Sequence, residues 1–154
     1  MMLKKIYLFA FFCIAISTNA QNVQEIIAGL KNDLKANPNT KQTATIYSDL
    51  TWYYSNVSID SALVYGDKAI KTALILGDSV AIAQAYGDVS TVYLKKGDYN
   101  ESLKYLNKVL VIRKARKDII GLAKVYSGIG LLYYNQNKYD LSMKNYLLAL
   151  EYVN

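Results

Sequence analysis

Histidine is absent from the 154 residues, and cysteine, proline and tryptophan each occur once. Cys13 falls in a leading segment expected to be removed, so the mature chain carries neither thiol nor imidazole. That excludes disulfides, cysteine or histidine metal sites, and Cys-His or Ser-His-Asp catalysis together. No metal, cofactor or enzymatic role is expected. All three phenylalanines also lie in the leading segment, whereas fourteen of the fifteen tyrosines follow it. A sustained period-two alternation of apolar residues is missing too, so no strand is predicted.

Charge is modest. The net +6 includes Lys4 and Lys5; without them sixteen basic residues face twelve acidic ones, a mild excess unsuited to a polyanion binder. A composition that is 53% hydrophobic is sufficient for one packed domain.

The first twenty residues read as an address. Lys4 and Lys5 form a positive start, Ile6 to Ile16 an apolar run of eleven, and Ser17-Thr18-Asn19-Ala20 a small, polar approach to cleavage after Ala20. Eleven residues are too few to span a bilayer as a helix, which takes about 17 to 25. Lipid attachment at Cys13 would require small residues before it, and Phe11 and Phe12 are large. The expectation is a secretory signal over residues 1–20 and export to the periplasm or envelope.

Apolar residues then recur at helical spacing. Val23, Ile26, Ile27, Leu30 and Leu34 give a leading helix over 21–37, ended by Asn37-Pro38-Asn39 because the residue before proline is driven out of helical conformation. Six helices are predicted after it: Thr40 to Ser55, Ile59 to Leu76, Ser79 to Lys96, Tyr99 to Arg116, Ile119 to Asn135 and Asp140 to Val153. Gly77-Asp78 and Gly97-Asp98 each end one helix and cap the next. Lys117-Asp118 stands forty residues after the first of these without a glycine, so a less tightly defined end is expected there. Asp98 and Glu101 resemble a capping box, and Asn137 is the residue able to take positive φ at the last joint.

The same spacing repeats. Tyr126, Tyr133, Tyr139 and Ser142 lie forty residues after Tyr86, Tyr93, Tyr99 and Ser102, and Tyr47, Tyr54 and Ala62 open a third, slightly shortened copy. The pattern Tyr-x2-Ile-Gly-x2-Tyr-x5-Tyr-x2-Ser-x3-Tyr-x2-Ala over Tyr126 to Ala149 resembles the tetratricopeptide repeat (TPR). The middle copy has Val89, Ser90, Leu106 and Val109 at corresponding places, and the first has Leu50, Thr51 and Ala69. The resemblance implies an all-α solenoid of three antiparallel helix pairs, about 40–77, 78–117 and 118–154, behind one leading helix. With a secretory signal ahead, it is similar to the envelope-facing TPR regions of bacterial sensor kinases and regulators. The function implied is a non-catalytic module for a protein or extended peptide, forming the sensory or scaffold part of a larger envelope protein.

In such a scaffold the first helix of each pair lines the concave side. The family's groove positions fall on Thr45, Ser48, Trp52, Ser55 and Asn56, on Gln84, Thr91, Leu94 and Lys95, and on Lys124, Ser127, Leu131, Tyr134 and Asn135. Trp52, Lys95, Lys124 and Tyr134 are the favoured contacts, an aromatic and cationic set suited to a peptide's backbone and acidic groups. The version of the family that clamps a C-terminal carboxylate has asparagines and basic residues where this chain has Trp52, Thr91 and Leu131, so that clamp is not expected.

Other motifs read as structural. The tyrosines sit mostly at repeat-defining positions, which implies packing. Lys104, Lys108, Arg113, Lys114, Arg116 and Lys117 crowd towards a helix C-terminus, where the dipole favours cations, and export removes nucleic acid as a partner. Gly128-Ile129-Gly130 lacks the third glycine and the strand of a dinucleotide fingerprint. The last helix is apolar on more than one side, through Leu141, Met143, Leu147 and Leu150 among others. Either a further stretch of chain or a second copy is expected to cover it.

Overall fold

A computed structural model describes residues 22–36 and 41–153. The expected signal segment and the Pro38 boundary lie outside the described residues. Seven helices fill the rest: α1 (residues 22–36), α2 (Lys41–Tyr54), α3 (Ile59–Leu76), α4 (Ser79–Lys96), α5 (Tyr99–Ala115), α6 (Ile119–Asn135) and α7 (Tyr139–Glu151). Among the described residues there is no strand.

The joints recur every twenty residues. Ser58, Asp78, Asp98, Asp118 and Lys138 precede α3 to α7, and the first four accept a first-turn amide on their side chains. Before four of these stands a left-handed residue: Gly77 (φ 61°), Gly97 (φ 82°), Lys117 (φ 55°) and Asn137 (φ 59°). Each lets the following amide reach five residues back, as in Asp98 N to Tyr93 O at 2.9 Å and Lys138 N to Tyr133 O at 2.9 Å. The Lys117 joint is closed as tightly as the glycine joints, with Asp118 N to Arg113 O at 3.0 Å. The Arg113 guanidinium also pairs with the Asp118 carboxylate and holds it there. At Asp98 the box is one-sided: Oδ1 accepts from Glu101 N at 3.2 Å, while Glu101 turns to Lys104.

Pairing follows chain order, α2 with α3, α4 with α5 and α6 with α7, and the pairs stack through α3 on α4 and α5 on α6. The stack is close because α3 turns a stripe of small residues, Ala62, Gly66, Ala69 and Ala73, into the core. One core cluster joins Ala83, Leu106, Val109, Val125, Ile129 and Leu132 across the second and third pairs. α1 buries Ile27 against Ile46 and Leu50 and covers the open side of the first pair. The Tyr146 ring lies where a Cβ on Gly130 would stand, 3.0 Å from it, so this glycine sets the approach of α7 to α6.

The tyrosines pack in repeating stacks. Tyr65 lies parallel to Tyr54 at 5.2 Å between centroids, and Tyr105 parallel to Tyr93 at 5.6 Å. Lys68 and Lys108 place their ammonium groups over these stacks, Lys108 at 4.8 Å from both Tyr86 and Tyr105. In the third pair Asn145 stands where Tyr65 and Tyr105 stood, and Tyr126 stacks instead on Tyr152 at 5.5 Å.

Candidate functional site

α2, α4 and α6 stand side by side and line two adjoining cavities. The first, about 540 Å³, opens between α2 and α4 and takes Thr45, Ser48, Trp52 and Gln84 into its wall. A second, about 260 Å³, opens between α4 and α6 with α5 behind it, and is lined by Gln84, Thr91, Leu94, Lys124 and Leu131 and by Leu106, Val109 and Arg113 of α5 among others. Gln84 and Asp88 belong to both, so the two form one run along the α2-α4-α6 face.

The residues singled out from the sequence divide into groups. Thr45 and Gln84 are exposed, Ser48 is buried in the wall, and Trp52 is 52% exposed at the rim. Lys95 reaches back one repeat: its Nζ donates to Ser55 Oγ at 2.8 Å and Asn56 Oδ1 at 2.7 Å and stands 5.3 Å from the Trp52 ring centroid. Burial lowers the Lys95 ammonium below the ordinary lysine range. Thr91 turns its hydroxyl back to the Gly87 carbonyl at 3.1 Å, the habit of a threonine within a helix. Lys124 is exposed and lines the second cavity. Tyr134 is 55% exposed and meets Tyr139 edge-on, and the Asn135 carbonyl accepts from the Tyr99 hydroxyl at 3.3 Å. Ser127 lies outside both cavities, on a shallow apolar surface with Ile120, Tyr146 and Leu150 beyond the last pair, which Lys124 also borders.

Three carboxylates complete the first cavity: Asp49, Asp78 and Asp88. Asp78 caps α4, but Asp49 and Asp88 have no capping role, and sequence reasoning passed over them. Asp49 stands two residues after Tyr47 and Asp88 two after Tyr86, so the repeat register itself was the signal. Gln84 Nε2 donates to Asp88 Oδ1 at 2.9 Å, while Oδ2 is buried without a hydrogen-bond partner. Burial pushes the Asp88 carboxyl up to about 7; the Ser48 hydroxyl and Gln84 oppose this and the Asp49 charge adds to it. Burial raises Asp49 as well. Among the described residues, no group of histidine, cysteine, aspartate or glutamate side chains could hold a metal ion.

The basic cluster of α5 is largely used within the fold. Lys104 bridges to Glu101 at 2.9 Å, Lys108 covers a tyrosine stack, Arg113 pairs with Asp118, and Arg116 donates to Ser79 Oγ at 2.7 Å.

Among solved structures the chain is similar to the TPR domain of Arabidopsis FLU, at 20% identity and a TM-score of 0.65, over 73% of this chain and 96% of that one. MamA also aligns, at 19% identity and a TM-score of 0.39, over 88% of this chain and 91% of that one. No functionally curated protein matches. The FLU likeness agrees with the helix pairing described above, and residues 17–149 match the family model of the SusR N-terminal TPR domain. The chain belongs to that family of TPR domains.

Proposed function

We propose that the chain is a non-catalytic recognition module that lays an extended peptide, or an extended segment of a protein partner, along α2, α4 and α6. TPR domains are in general protein-interaction modules. The observation that carries the reading here is the continuity of the two cavities through Gln84 and Asp88. Half-exposed Trp52 stands at the rim of the first cavity, and exposed Lys124 and Leu131 line the second. Aromatic and cationic side chains at the edge of a groove are the usual anchors of such contacts. Titration of the chain with pools of capped heptapeptides tests this. Trp52→Ala and Lys124→Ala are each expected to weaken binding at least fivefold with helicity unchanged, Lys124→Ala also leaving melting unchanged and Trp52→Ala losing about 1 kcal/mol or less through its contact with Lys95. Binding unaffected by both substitutions would sink the groove assignment.

We further propose that the module works outside the cytoplasm, as the sensory or scaffold part of a larger bacterial envelope protein. The positive start, apolar run and small residues before Gln21 support export. Expression in a bacterium followed by fractionation is expected to yield an envelope or periplasmic chain beginning at Gln21. An uncut cytoplasmic product would overturn it.

A second reading, self-assembly, rests on the terminal face. Ala83, Leu106 and Val109 belong to the cluster that receives α6, and their forty-residue counterparts Ala123, Tyr146 and Ala149 line the shallow apolar surface beyond the last pair. A surface built to the same register suits another helix pair of the same kind, supplied by a second copy of the chain.

A further inference from the structure

The cavity between α2 and α4 has a chemistry of its own. Asp49, Asp78 and Asp88 line it, and among the described residues no lysine or arginine does. The nearby Lys95 is held at the rim by Ser55 and Asn56. Among the described residues neither Asp49 nor Asp88 forms an ion pair, and the charge of Asp49 disfavours that of Asp88. Asp88 is drawn into the wall with one oxygen held by Gln84 and the other, Oδ2, buried without a partner, and the exposed Asp49 carboxylate faces the same space, so the cavity gathers negative charge that no described cation offsets.

Besides the polar Thr45, Ser48 and Gln84, the wall offers an apolar and aromatic surface from Ala44, Val80, Ala81 and the Trp52 ring. Lys95 shows that this indole attracts an ammonium group, at 5.3 Å. Among the described residues the carboxylates do not converge as metal ligands, so the site does not favour a small inorganic cation. A long side chain with an apolar stem and a cationic head suits it, the stem lying on the alanine, valine and indole surface and the head among the carboxylates.

We infer that the α2-α4 cavity is a pocket for a basic side chain, arginine or lysine, of the peptide bound along the groove, with Asp49 and Asp88 as its counter-charges and Trp52 as its platform. This deepens the groove reading and rests on it. It also gives the groove a polarity, because the exposed Lys124 lines the adjoining cavity, where Arg113 is already paired with Asp118. The basic residue of the ligand enters between α2 and α4, and an acidic one belongs further along, towards α6.

The test uses four pools of capped heptapeptides, random and free of tryptophan except for a central residue fixed as arginine, lysine, glutamine or glutamate. Trp52 is the chain's single tryptophan, so its fluorescence reports on this cavity. The arginine and lysine pools are expected to bind at least tenfold more tightly than the glutamine pool. Asp49→Asn, on an exposed position, is expected to remove most of that margin, and Asp88→Asn to do the same with unchanged circular dichroism. Equal binding of the arginine and glutamine pools, or preference for glutamate, overturns the inference. If Lys124→Ala still weakens that binding, the groove stands and the basic pocket alone falls. If no pool binds, both fall.

Discussion

Lys95 on α4 stands 5.3 Å from the ring of Trp52 on α2 and shares its ammonium between Ser55 and Asn56, so two favoured ligand contacts are first of all contacts of one repeat with the next. Lys95→Met keeps the stem and removes the charge. The loss of two hydrogen bonds and a cation-π contact at an exposed site is expected to cost about 1 kcal/mol in urea denaturation. Trp52 fluorescence should change in the folded state. A variant as stable as the parent, with unchanged emission, would show that the bridge does not form in solution.

Two helical glycines should respond in opposite directions to alanine. A methyl on Gly66 would run into Val89 Cγ2, a stiff β-branched side chain buried between α3 and α4. Gly66→Ala is expected to lose about 1–3 kcal/mol. Gly87 has open space where its Cβ would stand, so Gly87→Ala is expected to gain about 0.5–1 kcal/mol from helix propensity. Equal effects on the two denaturation midpoints would contradict the packing of α3 on α4.

Helix bounds and tyrosine roles were legible in the sequence because both are local. A left-handed residue followed by aspartate ends one helix and starts another wherever it occurs, and a tyrosine every seven residues can only mark one face. What escaped was set by the stacking. Asp49 and Asp88 lie within helices, where a carboxylate ordinarily faces water, yet the side-by-side placement of α2 and α4 turns both into the cavity wall. Lys95 looked free because its partners are 39 and 40 residues away. Ser127 shares a register position with Ser48 but has no following helix pair to enclose it among the described residues. Lys117 looked like a poor helix stop until Arg113, five residues before Asp118, supplied the missing restraint.

The tyrosine stacks can be tested for packing against polar function. Among the described residues no hydrogen bond involves the Tyr105 hydroxyl, and burial raises its ionisation above the ordinary tyrosine range. Tyr105→Phe is expected to be neutral within about 0.5 kcal/mol, whereas Tyr105→Ala removes a ring stacked on Tyr93 and capped by Lys108 and should lose about 2–4 kcal/mol. A phenylalanine variant as damaged as the alanine one would mean that the hydroxyl matters.

Stability should depend on pH through Asp88. Its folded carboxyl is raised from 3.8 to about 7, so between those values the folded chain holds a proton that the unfolded chain has released. The contribution is therefore favourable below about pH 4 and lost as pH rises towards about 7, on the order of a few kcal/mol. Asp49 faces it from α2 and is raised in the same direction, while Arg113 and Lys124 line the adjoining cavity. Asp118 acts oppositely: the Gly121 amide and Arg113 hold its carboxyl low, and that stabilisation disappears as pH falls into the acid range. Asp88→Asn should flatten the loss of stability between about pH 4 and 7 and leave the acid limb in place. Parallel curves for variant and parent would show that Asp88 is ionised in the fold.

The terminal face supplies the last prediction. Leu147, Leu150 and Val153 are each more than half exposed, and the counterparts of the preceding repeat's core, Ala123, Tyr146 and Ala149, lie beside them. If a second copy covers this surface, the mature chain should sediment as a dimer at high micromolar concentration. Leu150→Lys places a charge on a surface that must lose its water on association, which is expected to weaken the dimer at least tenfold. The same substitution leaves the monomer's core untouched, so melting of the dilute chain should not change. A strict monomer at high micromolar concentration would remove the self-assembly reading and leave the groove along α2, α4 and α6 unaffected.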